Sequence, residues 1–509
     1  MRPPVPISAC LSDTASTAGL YRPMGSLVIG VGLLVLSCLS ANAQSPQILS
    51  LSDSIELAVT NNKTIQSAYL DRIAQQFDLR VAEDKFKPKL YLSPGIERTQ
   101  SNASNVSSSL PGTTTTASQT GAVTTAGLSS VMNQALVTGA KVSVSATQAS
   151  VRTVGGDPYR SSAWNISLVQ PLLKGAGIEV SNASVAIARY AEQANILALK
   201  SVITDALIEV TSTYRAYFKA MKALTIGRQS LSRSRDLLVI NRSLIAVGRM
   251  AEIDLVQSEA DVANQEFNLV ATEGAMDSAR FALLKALGLS TQARVLPQEQ
   301  IDIQAVRYEY QQALDLAFQN RADYQSALLG IEVAKTRLML AQDNLLPDLS
   351  ALGGYSQSQL ASNSPGLANR GSNWSVGLRL TVPLGDLSLQ QFVVQTKVDL
   401  EKAELGLQKL RESIEIDIQN ALRNVDISLR QVKLAQRARE LTEKKFAVET
   451  EKLKVGRSSN FQLVVFQNDL VNAQNNELNT TVGYLDALST LESKLGIVLE
   501  KWGVSLVRR

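Results

Sequence analysis

Residues 373–386, "NWSVGLRLTVPLGD", decide the architecture. Trp374, Val376, Leu378, Leu380 and Val382 fall on one side of an alternating pattern, and Ser375, Gly377, Arg379 and Thr381 on the other. A period of two with one apolar and one polar face predicts a β-strand. From Pro383 to Arg509 there is no further proline, and the apolar spacing lengthens to three and four at Leu410, Ile414, Ile418, Leu422, Val425, Leu429 and Val432. That is the spacing of a helix. A second apolar line, Ile416, Ile427 and Leu434, lies on another face. Such a helix needs a neighbour on each side, as in the wall of a helical tube.

The same order of parts occurs twice. Shifted by 259 residues, "LAVTNNKTIQSAYL" (57–70) lies on "LAFQNRADYQSALL" (316–329), and the match runs ungapped to Gly95 over Gly354 with thirteen identities in 39 positions. Shifted by 208, "VGRMAEIDLV" (247–256) lies on "VGRSSNFQLV" (455–464) and continues to Leu287-Gly288 over Leu495-Gly496, with thirteen identities in 42. This is a tandem duplication, with repeats over 44–297 and 298–509. In each, a helical stretch (about 51–86; about 311–345) ends before Pro88 or Pro347, since proline disfavours helix at the residue before it. Strands follow at about 89–173 and about 348–383. Next comes a long helix (about 178–246; about 388–454), roughly 100 Å long at about 1.5 Å per residue. A tight turn at Gly248 or Gly456 leads to a shorter helix that ends at Gly288 or Gly496.

Residues 1–43 have the layout of an export signal: Arg22, an apolar run from Leu27 to Leu39, and Ala41-Asn42-Ala43 before Gln44. Two processing routes fit. Cleavage after Ala43 removes both cysteines, Cys10 and Cys38; alternatively, Val35-Leu36-Ser37-Cys38 resembles a bacterial lipoprotein signal in which Cys38 is kept and acylated. After the Ala43 cut no cysteine remains, and the whole sequence has no histidine. Thiol nucleophiles, histidine bases, His or Cys metal sites and disulfides are then excluded. We expect no cofactor, no metal and no enzyme. Removing residues 1–43 leaves 48 basic and 45 acidic residues, a net +3, with no basic cluster, so nucleic acid is not an expected partner. The charges over 437–454 read as a solvated helix face.

The strand regions point to a membrane. "KLYLSPGIERT" (89–99) and "AWNISLVQPLL" (163–173) flank a Ser/Thr/Asn/Gly/Ala-rich stretch at 101–127, while "DLSALGGYSQSQ" (348–359) and the opening strand flank "SNSPGLANR". Strands with one apolar face, joined by polar loops, are the pattern of an outer-membrane β-barrel. Trp164 and Trp374 stand at corresponding places near strand starts, as membrane-interface aromatics would. Four strands cannot close a channel, whereas three copies would supply twelve. "LSSVMNQALVTGAKVSVSATQ" (128–148) has the alternation of a further hairpin around Thr138-Gly139. The sequence leaves open whether this hairpin joins the sheet or projects from it.

Over about residues 50–500 the chain resembles the TolC-like outer-membrane efflux proteins (outer membrane factors). The resemblance is carried by the duplicated order, by "QPLLKGAG" (170–177) and "TVPLGD" (381–386) at the strand-to-helix turns, and by the paired "VGR" tips. It implies a mainly α fold with β: duplicated helix–strand–strand–helix units forming a trimeric outer-membrane β-barrel continued by a long periplasmic α-helical barrel. It further implies an exit duct in a Gram-negative outer membrane, with a large periplasmic portion and no catalytic residues. The partners so implied are a homotrimer, outer-membrane lipid, a periplasmic adaptor (membrane fusion) protein and an inner-membrane pump. A structural or adhesive coiled-coil surface protein is the rival. It would account for the long helices but not for two-faced strands within a duplication.

The resemblance also implies roles for individual residues. Val247, Gly248 and Arg249, with Val455, Gly456 and Arg457, become the adaptor-docking tips; Gly248 and Gly456 also serve as plain helix stops. Acidic residues that narrow the pore in the family would fall at Gln462 and Val465, where this chain has none. A periplasmic aperture must then rely on Glu252 or Asp254, the latter equally suited to the helix dipole. Asp261 and Asp469 coincide in the duplication and suggest a structural pair.

Overall fold

The computed structural model describes residues 47–107, 115–154, 157–248, 251–298, 303, 305–362, 369–455 and 457–504. The expected export signal with Cys38, and also Arg249 and Gly456, lie outside these residues. Two compact units emerge, one from residues 1–69, 199–322 and 413–509, the other from 70–198 and 323–412. Each unit draws on both sequence repeats.

The first unit is helical. Its elements include β1 (Gln47–Leu49), α1 (Leu51–Asn61) and the start of α2 (Lys63–Glu83). It also holds most of α3 (Ile178–Ala246), α4 (Ile253–Leu287), β6 (Val295–Pro297) and α5 (Tyr310–Asn320). Most of α7 (Leu387–Lys454), α8 (Asn460–Leu495) and α9 (Val498–Lys501) complete it. Its core gathers Ile203, Leu207, Val210, Tyr214 and Tyr217 of α3 with Ile55, Ala58 and Ile65, with Leu283, Leu284 and Leu287, and with Val498 and Leu499. β1 and β6 form a parallel pair. Two buried tyrosines stitch that pair to α3: Tyr214 Oη donates to Leu49 O and Tyr217 Oη to Val295 O, both at 3.0 Å.

The expected single helices over 51–86 and 311–345 are each broken, at Asn62 and at Arg321. No proline marks these breaks because their cause is tertiary. Gly288, left-handed at φ +68°, closes α4 so tightly on Asn61 that a Cβ there would lie 2.3 Å from Asn61 O. Gly496 (φ +73°) does the same against Asn320, at 2.8 Å. Asn62 then restarts the helix: its Oδ1 accepts from Thr64 N and Ile65 N, and its Nδ2 donates to Ala286 O at 2.7 Å. At the second break Arg321 pairs instead with Asp417, which Lys494 also reaches at 2.9 Å.

The second unit centres on one antiparallel sheet. Its strands are β2 (Lys89–Ser107), β3 (Thr115–Ala135), β4 (Lys141–Thr153), β5 (Tyr159–Pro171), β7 (Asp348–Ser362) and β8 (Asn369–Thr381), in the order β2-β3-β4-β5-β7-β8. The undecided hairpin therefore joins the sheet as parts of β3 and β4. The polar stretch at 101–127 is not one long loop, since 101–107 continue β2 and 115–127 continue β3. Ladder bonds come from the backbone, so Ser, Thr and Ala say which side is wet and not whether strands pair. The same unit holds the remainder of α2, the first turns of α3, nearly all of α6 (Ala322–Asn344) and the start of α7. An Arg72–Glu192 ion pair joins α2 to α3. No helix among the described residues is long and apolar enough to cross a membrane.

Candidate functional site

Two features of the fold carry the residues singled out above: the helix-hairpin turns of the first unit and the edges of the sheet in the second.

At the α3–α4 turn, Gly248 takes φ +72° and its N–H donates to Ile245 O at 2.9 Å. Val247 beside it is exposed. Left-handed backbone favours glycine, so the helix-stop role is realised here. Glu252 is the exposed N-cap of α4, and Asp254 stands in the first turn, where the helix dipole favours a carboxylate. At the α7–α8 turn, Val455 and Arg457 are exposed, and Arg457 N–H donates to Lys452 O. Ser459 caps α8 by accepting from Gln462 N. Gln462 and Val465 are half-buried in the turns that follow. Glu449 accepts from Ser458 Oγ at 2.6 Å, and this bond, helped by Lys452, holds its carboxyl below the usual carboxylate range.

The two turns are tied to each other by side chains that the sequence did not single out. Asn241 Nδ2 donates to Ser258 Oγ (2.6 Å) and to Asn460 Oδ1 (2.8 Å), and Asn460 Nδ2 donates to Asp254 O. Both asparagines are buried. The available signal was an asparagine at the head of a helix, too common to be specific. Leu237, Leu453 and Leu463 pack beside this knot. Further along α3, Ser234 Oγ donates to Asp261 (2.5 Å) and accepts from Gln467 Nε2 (2.6 Å), while Ser230 Oγ donates to Gln265. Asp261 and Asp469 are not a structural pair. Asp261 is 7 % exposed inside this network, whereas Asp469 lies outside it, exposed, in an ion pair with Lys445.

In the sheet, Trp164 and Trp374 hold the same place in their strands, the sixth position of β5 and of β8, in mid-strand rather than near the start. Trp164 donates through Nε1 to Gln357 and packs against Tyr355 with ring centroids 5.0 Å apart and planes tilted by 47°. Trp374, opposite Tyr355 in the register, is exposed. The edge strands β2 and β8 each present an open apolar row: Leu90, Leu92 and Ile96 on one, and Val376, Leu378 and Leu380 on the other. Every described position of β8 is exposed. Among the described residues no group of three His, Cys, Asp or Glu side chains could hold a metal ion. The arrangement offers helix-hairpin turns with exposed valines, and unpaired sheet edges.

The comparisons with known proteins agree on the architecture. A family model described as outer membrane efflux protein matches residues 54–289 and 313–497. No curated protein sequence matches. Among solved structures, a membrane protein from Pseudomonas aeruginosa is similar at TM-score 0.66 and 16 % identity, over 88 % of this chain and 90 % of that one. The outer membrane protein VceC of Vibrio cholerae is similar at TM-score 0.64 and 14 % identity, over 88 % and 96 %. The CmeC outer membrane channel of Campylobacter jejuni is similar at TM-score 0.63 and 14 % identity, over 88 % and 85 %. At such identities these likenesses speak for the fold.

Proposed function

Because the chain belongs to the outer membrane efflux protein family, we propose that three copies of it assemble around one axis, with the helix turns receiving a periplasmic adaptor coupled to an inner-membrane pump. The chain itself is the outer-membrane exit duct of an efflux system in a Gram-negative bacterium, and its family is one of channels rather than enzymes. The carrying observation for assembly is the pair of open edges. β2 and β8 end the sheet order with apolar rows exposed, and lipid cannot satisfy the backbone groups of an unpaired edge. Three copies with six strands each would bring eighteen strands into one closed barrel. Trp164 and Trp374 then serve at the membrane interface.

Val247, Gly248, Arg249, Val455, Gly456 and Arg457 are the adaptor contacts in this reading, with Glu252 and Asp254 supplying the charge of a periplasmic aperture that Gln462 and Val465 complete. Exposed Val247 beside left-handed Gly248, and exposed Val455 at the α7–α8 turn, support it. A deletion strain complemented with Gly248→Trp is the test. The variant should reach the outer membrane and assemble normally, yet lose dye efflux and adaptor cross-linking. Full efflux from normally assembled Gly248→Trp contradicts the docking role; failure to assemble makes the glycine structural.

A further inference from the structure

Where β5 turns into α3, the backbone is clamped by the segment that leads into β7 and by the start of that strand. Leu172 N–H donates to Leu349 O (2.7 Å), Lys174 N–H to Pro347 O (3.4 Å) and Gly175 N–H to Asp343 Oδ2 (2.8 Å). The duplication provides a counterpart for every party. Shifted by 259, Asp343, Pro347 and Leu349 fall on Asp84, Pro88 and Leu90, the same residue type in all three cases. The local backbone is also the same: Leu346 N–H donates to Asp343 O (3.0 Å), and Lys87 N–H to Asp84 O (3.1 Å). Shifted by 210, Trp164, Ile166, Leu168 and Gly175 fall without a gap on Trp374, Val376, Leu378 and Gly385. Gly385 shares the left-handed backbone of Gly175, with φ +71° against +77°. Leu172 and Lys174 fall on Val382 and Leu384, which keep their N–H groups, while Pro383 falls on Leu173, whose N–H takes no part in the clamp.

Within one chain these counterparts stay apart, because the acceptors lie just before and at the start of β2 and the donors follow β8, at opposite ends of the sheet order. The donor turn is open. Leu384 is 89 % exposed, the N–H groups of Leu384 and Gly385 make no hydrogen bond within the described residues, and a Cβ on Gly385 would meet nothing within 4 Å. Asp84 has only loose ion pairs, with Lys87 at 3.4 Å and Lys89 at 3.8 Å. We propose that Asp84 of one copy clamps the Val382–Gly385 turn of the next, accepting from Gly385 N–H, and that β8 and β2 pair between copies in the β5–β7 register. This rests on the trimeric assembly proposed above.

In β5–β7, Ile166 faces Tyr355 and Gln170 faces Ala351. Carried over, Val376 faces Ile96 and Leu380 faces Leu92 of the neighbouring copy. Both pairings join exposed apolar residues, 79 % and 78 % exposed in the first case. A one-residue slip would set Val376 against Gly95 or Glu97 and turn the apolar row to the wrong face.

The test uses the full-length protein in isolated outer membranes. The double variant Ile96→Cys/Val376→Cys should cross-link into covalent oligomers on oxidation, and Arg98→Cys/Val376→Cys should not. Asp84→Ala should lower the temperature at which trimers fall to monomers. Asp84→Asn, which keeps an acceptor oxygen but loses the charge, should stay near wild type. Trimers that cross-link through Arg98→Cys instead, or that lose heat stability equally with Asp84→Asn and Asp84→Ala, overturn the clamp alone. A wild-type chain that stays monomeric overturns the parent reading as well.

Discussion

Gly288 and Gly248 share a left-handed backbone but differ in what surrounds them. An alanine at either position carries the conformational cost, about 1–2 kcal/mol. At Gly288 the new Cβ would also lie 2.3 Å from Asn61 O, whereas at Gly248 it would meet nothing within 4 Å. Gly288→Ala should therefore lower the midpoint of thermal loss of helical circular dichroism well beyond Gly248→Ala; equal shifts would contradict the close approach. Asp417 gives a pH signature. Burial raises its pKa, but hydrogen bonds and charge from Lys494 and Arg321 outweigh burial and leave the carboxyl below its ordinary value. A depressed folded-state pKa means stability that is present above the unfolded value, about 3.9, and lost as pH falls through the folded one. Wild type should thus lose stability more steeply than Asp417→Asn in acid below about pH 4. Parallel acid limbs would remove the ion pair from the account.

Among the elements, α3, α4 and α8 are joined by polar side chains as well as apolar ones. Ser234→Ala removes the 2.5 Å hydrogen bond to buried Asp261, and a buried acceptor left short of a donor costs about 1–3 kcal/mol. Arg235→Ala, which breaks the exposed pair with Glu266, should cost less than about 1 kcal/mol. Thermal melts that rank the two variants the other way would contradict the buried network. In β8, Leu378→Arg on the apolar face should cost about 2–4 kcal/mol if that residue sits near the bilayer midplane, and Thr381→Arg on the polar face should be tolerated. A heat-modifiability assay with equal effects would show the faces exchanged. These elements also show what the sequence makes legible. Long helices and two-faced strands stand out because their periods persist for many residues, and α3 and α7 begin and end within a residue of the expected bounds. The breaks at Asn62 and Arg321 do not, because they arise from Gly288 and Gly496, far away in sequence. The polar ends of β2 and β3 were hidden for another reason: side-chain polarity says little about backbone pairing.

For the whole molecule, the family and its place in the outer membrane follow from the duplicated order, which no single motif could have carried. The tips were legible as glycine turns, but the Asn241–Asn460 knot that joins them was not, since it needs three helices brought together. The central claim is that one chain is an incomplete part of a duct, with two sheet edges that only other copies can close. The mass of the detergent-extracted protein, corrected for bound detergent, tests this most directly. The account predicts a particle of three chains that survives extraction from the outer membrane. A stable, folded, single-chain particle would contradict it.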